Sequence, residues 1–397
     1  MTASSHAARL TISWLTMFLV GTELFVVSPL LPLISADFQS SPALAGLTVA
    51  IFALTYMISA PVFGQLADRI GRRRVLVCCL SAFAAANLLT AVAANLPSLL
   101  GARLVAGSVA AGVSPSVYAL VAGIAPSDRR ATWLAGVVSG LLVSLSLGAP
   151  IGGLAGSAFG WPSVFWVLAA ASLALAWLNT QIWPRKEIRD HLGVPAEGIS
   201  ILVFAPRLGP MVAWSAALYG MYTYLGVGLT TSGHSAGQIA EIIAAYGCGA
   251  IAGVLIGGRI SDILGAQSAI GLSLAGLGAS FLLLRFALDE GVMIDFAFGL
   301  VSAVAQTFFP AQQSSLARDF PERRATVLAW NSSALFLGIC LGALIGGRVI
   351  AASGFAANLT ISALIAAGGW AIHRIAKSSP TKLPSKHSPE PNSGVAS

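Results

Sequence analysis

Apolar residues run in long unbroken stretches along this chain, and polar residues appear in short clusters between them. The stretches cover residues 10–33, 43–65, 75–95, 98–122, 132–156, 163–183, 207–230, 237–259, 267–287, 291–315, 325–348 and 354–374. Each is about the 20-residue length that a helix needs to cross the hydrocarbon core of a bilayer. The pattern therefore predicts an all-α membrane protein with twelve transmembrane helices. The longest internal polar stretch, from Pro184 to Pro206, holds Arg185, Lys186, Glu187, Arg189 and Asp190 and reads as a connector. It divides the chain into a six-helix N-terminal half (1–183), the connector (184–206) and a six-helix C-terminal half (207–376). The tail (377–397) is rich in Ser, Pro and Lys, has no apolar period, and is expected to be disordered.

Three motifs recur at one offset. Gly64-x-Leu66-x-Asp68-x-x-Gly71 returns as Gly258-x-Ile260-x-Asp262-x-x-Gly265 (262 − 68 = 194). Asp128-Arg129-Arg130-Ala131-Thr132 returns as Glu322-Arg323-Arg324-Ala325-Thr326 (324 − 130 = 194). Gly148-Ala149-x-Ile151-Gly152-Gly153 returns as Gly342-Ala343-x-Ile345-Gly346-Gly347 (346 − 152 = 194). The matching loops are basic in both halves, so the halves share one orientation and each has an even number of crossings. Parallel repeats about an axis along the membrane normal are a transporter architecture.

Composition agrees. Mean hydropathy is +0.82 and only 9% of residues are charged, too few to keep a soluble chain of this length dissolved. The net charge of +7 sits in alternate loops: Arg69, Arg72, Arg73 and Arg74, then Arg129 and Arg130, then the connector, then Arg318, Arg323 and Arg324, then the tail. Arg285 and Arg348 are the main exceptions. This distribution is topogenic rather than a nucleic-acid footprint, and it predicts cytoplasmic termini. Cys78, Cys79, Cys248 and Cys340 lie in apolar segments without metal-ligand spacing and read as packing residues. The first apolar stretch is too long, and lacks a clean cleavage site, to be a removed signal peptide. No paired acids with histidine, no Gly-x-Ser-x-Gly and no phosphate-binding loop are present, so neither an enzyme nor an ATP-driven pump is expected.

The run Gly64-Gln65-Leu66-Ala67-Asp68-Arg69-Ile70-Gly71-Arg72-Arg73-Arg74 carries more than loop charge. Basic charge alone explains the arginines but not Gly64, Asp68 and Gly71 together. At these residues the chain resembles the major facilitator superfamily, whose signature between helices 2 and 3 this run matches. The resemblance covers roughly residues 8 to 376. It implies twelve helices around a central cavity, alternating access, and monomeric function. It also implies that Asp68 with Arg69, Arg72 and Arg73 forms a conformational latch. In the second copy Ala266 and Gln267 stand where arginines would, so the latch should be asymmetric and Asp262 should matter less. In helix 5, Gly148, Pro150, Gly152 and Gly153 resemble the antiporter motif of the bacterial drug:proton antiporter-1 group, in a G-x-P-x-G form. The proline is spaced differently from the G-P-x-x-G-G core, which leaves ordinary glycine packing as a competing account.

Two charges fall inside the apolar runs. Glu23 lies in Gly21-Thr22-Glu23-Leu24-Phe25-Val26-Val27, where a carboxyl group is expensive and functional by default. Arg103 lies in Arg103-x-x-x-Gly107 of helix 4, resembling the family's helix-4 arginine motif. Counting about 1.5 Å per residue puts Glu23 about 20 Å from the inner start of helix 1, and Arg103 about 8 Å from the outer start of helix 4. In a core of about 30 Å these are nearly the same level. The two are expected to communicate, with a proton on Glu23 releasing Arg103 or substrate. Glu241, Asp295 and His234 lie near helix ends or loops and are poorer candidates. For substrate contact the resemblance implies the middle of helices 1, 4, 7 and 10. Tyr219, Tyr222, Gln306 and Phe308, with Asn331 of helix 11, suit an amphiphilic ligand.

The expectation is a secondary active transporter in the bacterial inner membrane, without cofactor or metal, using protons to export small lipophilic or weakly polar compounds. Sugar efflux and nutrient uptake are the competing transporter readings, and a non-transporting receptor the competing class.

Overall fold

A computed structural model describes residues 3–126, 129–184, 205–288, 293–320 and 324–378. Asp128, Glu322, Arg323, most of the connector and the tail beyond residue 378 lie outside the described residues. Ten helical segments are long and apolar enough to cross a membrane. One of them, 326–376, is two crossings bent at Gly354, and the interrupted stretch 205–231 adds another, so the described residues make twelve (10 + 1 + 1). We number them α1 (Ala3–Asp37), α2 (Pro42–Ile70), α3 (Arg72–Ala91), α4 (Leu96–Ile124), α5 (130–159) and α6 (Trp161–Ile182). The second half comprises α7 (205–231), α8 (Ala236–Leu264), α9 (Ala266–Ala287), α10 (293–319), α11 (324–353) and α12 (355–378). Twelve is even, so Ala3 and Ser378 lie on one side. We call that the terminal side and its opposite the far side.

The repeat extends from sequence to backbone. Tight turns at Gly71 (φ 98°) and Gly160 (φ 83°) in the first half recur at Gly265 (φ 80°) and Gly354 (φ 77°) in the second. Both pairs keep the same offset (265 − 71 = 354 − 160 = 194). This left-handed conformation places a Cβ too near the following carbonyl, which is why glycine occupies all four turns. Three other helix starts, those of α2, α4 and α8 on the far side, use side-chain caps instead. Ser41 accepts from the Leu44 amide, and Asn95 with Ser98 and Ser235 with Gln238 form capping boxes.

Four helices depart from the regular runs that the apolar pattern predicts. α2 continues to Ile70 rather than ending near residue 65, so Gly64 is a helical residue and the turn comes only at Gly71. α5 is Arg130–Val143 and Ala149–Phe159 joined by a π turn at Ser144–Gly148, directly ahead of Pro150. Proline at residue 150 has no amide to donate, and a wider turn here absorbs the mismatch. α7 breaks at Tyr224 into Ala205–Thr223 and Leu225–Thr231, and α10 breaks at Thr307 into Met293–Gln306 and Phe308–Asp319.

The halves meet along α1 with α7, α2 with α11, and α5 with α8. The closest contacts run from mid-membrane to the far side. Tyr56 stacks on Phe336 with ring centroids 3.6 Å apart. Gly46 faces the Tyr224 hydroxyl, Gly226 faces the Ser28 carbonyl, and Gly247 faces Ser146. A Cβ at any of these three glycines would overlap its neighbour.

Candidate functional site

Glu23 and Arg103 are brought together. Arg103 Nη1 donates to Glu23 Oε1 as a buried ion pair, with the side chains 2% and 0% exposed respectively. α1 supplies the acid and α4 the base. Arg103 also makes a long 3.5 Å contact from Nε to the Thr48 carbonyl of α2. Its guanidinium lies over the ring of Phe52 at 4.7 Å and nearer the edge of range over Phe165 at 6.0 Å. The second carboxylate oxygen, Glu23 Oε2, is buried without a hydrogen-bond partner. The site thus holds one charge-assisted bond and one vacant acceptor, in an apolar wall. The positions one repeat onward are Ala217 (23 + 194) and Ala297 (103 + 194), both buried. The fold accommodates alanine at these two places, so the pair is a property of the first half alone.

The helix-5 motif lies against the same stretch of α1. Gly148 packs on Thr22, Gly152 on Val26 and Gly153 on Pro29, and on the other helix Gly21 packs on Ser144 within the π turn. Pro150 is buried beside them. Thr22 and Val26 flank Glu23, so this seam sets how α1 presents its acid. The second half repeats the seam: Gly342 packs on Ala216 (22 + 194) and Gly346 on Gly220 (26 + 194).

Just beyond Glu23, α1 crosses α7 at symmetry-equivalent residues. Phe25 stacks on Tyr219 (25 + 194) at 6.5 Å, and the Ser28 hydroxyl donates to the carbonyl of Tyr222 (28 + 194). The Tyr222 hydroxyl donates back to the Phe25 carbonyl at 3.1 Å, and its ring packs on Tyr246 at 5.3 Å. Residues related by the repeat touch each other only near the pseudo-two-fold axis, so the axis passes through this crossing.

The remaining candidates separate. Gln306 is half-buried at the end of the first segment of α10. Phe308 is fully buried and stacks on Trp214 at 5.2 Å, while Trp214 Nε1 donates to the Ala305 carbonyl at 2.8 Å. Asn331 accepts from Gln312 at 3.4 Å, and Gln312 also donates to the Arg207 carbonyl at 2.8 Å. Phe308 and Asn331 are thus engaged with helix neighbours. Tyr219 and Tyr222 are the candidates adjacent to the ion pair, through Phe25.

At the residues expected to form a latch, Gly71 closes the turn by donating from its amide to the Ala67 carbonyl at 3.0 Å. Arg73 donates to the Thr180 carbonyl of α6 at 2.7 Å, tying α3 to the end of the first half. Arg69 is exposed, Arg72 is half-buried, and the Asp68 side chain lies outside the described residues. In the second half Asp262 is exposed, and Gln267 (73 + 194) donates to Ser315 at 2.7 Å. Sequence reasoning missed Thr48, Phe52 and Phe165 around Arg103. Aromatic residues in an apolar run carry no signal that distinguishes lipid contact from a cation's partner.

The Major Facilitator Superfamily profile matches residues 13–233 and, a second time, residues 211–396. The Bacillus subtilis (strain 168) protein named "Uncharacterized MFS-type transporter YceJ" is 28% identical over 346 residues, 85% of this chain and 88% of that protein. A chloramphenicol resistance protein of Streptomyces lividans is 30% identical over 257 residues, 62% of this chain and 65% of its own length. Among solved structures, a bacterial homologue of the human lysosomal transporter Spinster, in an inward-facing and occupied conformation, superposes with a TM-score of 0.78. It covers 95% of this chain and 98% of its own at 16% identity, a likeness of fold. Twelve crossings in two repeated halves, each half matched by the same profile, place the chain in the Major Facilitator Superfamily as a multi-pass membrane transporter and not an enzyme.

Proposed function

We propose that this transporter exports small lipophilic or weakly polar compounds across a bacterial inner membrane in exchange for protons, with both termini cytoplasmic and Glu23 carrying the coupling proton. The observation that supports this most is the buried pair itself: Glu23 spends one oxygen on Arg103 and leaves the other without a partner. A carboxylate inside a membrane is retained against its cost where it has work to do. Adding a proton to Glu23 removes the charge that holds Arg103. The guanidinium then keeps the Thr48 carbonyl and the aromatic faces of Phe52 and Phe165, a weaker set of partners. Arg103 is therefore released towards substrate or solvent when the proton arrives and recaptured when it leaves. The alternation links α1, α4 and α2 at the level where α1 meets α7. Glycine at 148 and 152 lets α5 hold α1 closely enough for this register.

The aromatic and hydroxyl groups of Tyr219 and Tyr222 next to the pair favour amphiphilic ligands over phosphorylated or strongly anionic ones. The relative named for chloramphenicol resistance points the same way. The test is proton movement in proteoliposomes under an imposed pH gradient, across lipophilic cations, phenicols and sugars. Substrate-triggered proton movement that vanishes in Glu23→Gln is the expected result, and the responding compound identifies the class. Coupled movement that survives undiminished in Glu23→Gln would remove Glu23 from the role. Substrate flux without proton movement in the unmodified protein would make it a facilitator.

A further inference from the structure

Arg285 and Arg348 break the charge rule that the rest of the chain obeys, and the fold brings them to one place. Arg285 is in the last turn of α9 and Arg348 lies close to the far-side end of α11. Both line a cleft of about 410 Å³ that also includes Ser353 and Thr360 and, among the described residues, contains no acidic side chain. Arg285 Nη1 donates to Thr360 Oγ1 at 2.6 Å. Arg348 is exposed and has no ion pair among the described residues. Asp289 and Glu290, the acids that follow Arg285 in sequence, lie outside the described residues.

The cleft opens onto the lipid-facing surface. Leu282, Leu283 and Phe286 beside Arg285 are exposed, and so are Leu344 and Ile345 beside Arg348. Thr360 is five residues into α12 from Phe355, about 8 Å below the far-side turn, which is headgroup-to-glycerol depth rather than bulk water. The architecture does not call for charge here. The positions one repeat earlier are Ala91 (285 − 194), Leu154 (348 − 194) and Trp166 (360 − 194), all of them without charge. Two guanidinium groups at a lipid surface need an anion, and the fork of an arginine matches the oxygens of a phosphate.

We propose that this cleft binds the phosphodiester headgroup of an anionic phospholipid in the far leaflet. Arg285 and Arg348 hold the phosphate, with the Thr360 hydroxyl accepting from Arg285 and orienting its guanidinium, and the acyl chains lie along Leu282, Leu283 and Phe286. The site is independent of what the protein transports.

Native mass spectrometry of the purified full-length protein, titrated with phosphatidylglycerol and with phosphatidylcholine, tests this. Each arginine near a membrane surface is worth about a factor of five towards an anionic lipid. The Arg285→Ala/Arg348→Ala protein should therefore lose a phosphatidylglycerol preference on the order of tenfold or more, while Arg285→Lys/Arg348→Lys, keeping the charge, should hold part of it. Circular dichroism on the variants separates loss of the site from loss of the fold. An unchanged preference in a folded double-alanine variant overturns the proposal. Displacement of the lipid by millimolar inorganic phosphate overturns it too, since the cleft would then be a soluble-anion site.

Discussion

At the scale of single residues, the cost of the Glu23–Arg103 pair is set by what remains when one member goes. Replacing Glu23 by alanine leaves a guanidinium that is 2% exposed without its counter-charge. Removing one partner of a buried pair costs about 3–5 kcal/mol, whereas replacing both with apolar groups is often neutral. Ala217 and Ala297 already occupy the equivalent places in the second half. Thermal unfolding in detergent should therefore show a large fall in Tm for Glu23→Ala and recovery of most of it in Glu23→Ala/Arg103→Ala. A double variant as unstable as the single one would mean that Arg103 has other partners that matter more. The depth of both charges was legible from residue counts alone, since each is one charge in a long apolar run. Their other neighbours were not, because Thr48, Phe52 and Phe165 look like any other residues of a membrane helix.

At the scale of an element, α5 shows why glycine is placed where it is. The Cβ of any larger residue at 148 or 152 would overlap Thr22 or Val26 of α1, while Gly64 in α2 has open space around the same position. Gly152→Val should therefore push α5 off α1 and destabilise the protein by about 1–3 kcal/mol, as overpacking does. Gly64→Ala should be tolerated by the fold. Gly71→Ala carries a different penalty, about 1–2 kcal/mol, because its φ of 98° is unfavourable for any side chain. Denaturation midpoints of the three variants, measured side by side, should rank in that way. The motif spacing in sequence located the seam, and the 194-residue offset located its copy; Pro150 is the one mark of the π turn at Ser144–Gly148, and the breaks at Tyr224 and Thr307 left no trace. A break of one hydrogen bond does not alter an apolar run, so hydropathy passes through it. The helix ends were illegible for a related reason: α2 runs on to Ile70 because the polar residues from Gln65 to Arg69 are good enough helix formers at the membrane surface.

At the scale of the whole molecule, the contacts between halves favour one arrangement over its alternative. The stack of Tyr56 on Phe336 joins α2 to α11 at mid-membrane, inside the region where the halves are closed together. Such pairs contribute about 0.5–1.5 kcal/mol beyond their area. Tyr56→Ala with Phe336→Ala should thus shift the population towards the far-side-open state about two- to tenfold. Thiol labelling of a cysteine placed at Pro32 or His234, on the far-side rim, should rise by that factor. Labelling that falls or stays level would mean the stack holds the halves in both states. The axis crossing has a further consequence. In a dimer of identical chains, whatever sits on the axis can only meet its own likeness, so every bond there must be one that a residue can make with itself. Fusing two copies into one chain lifts that requirement, and this protein has used the freedom. Phe25 meets a tyrosine, and Ser28 gives its proton to a carbonyl while receiving none from its counterpart. The ion pair that distinguishes the halves lies two residues from Phe25, beside the crossing where unlike partners meet.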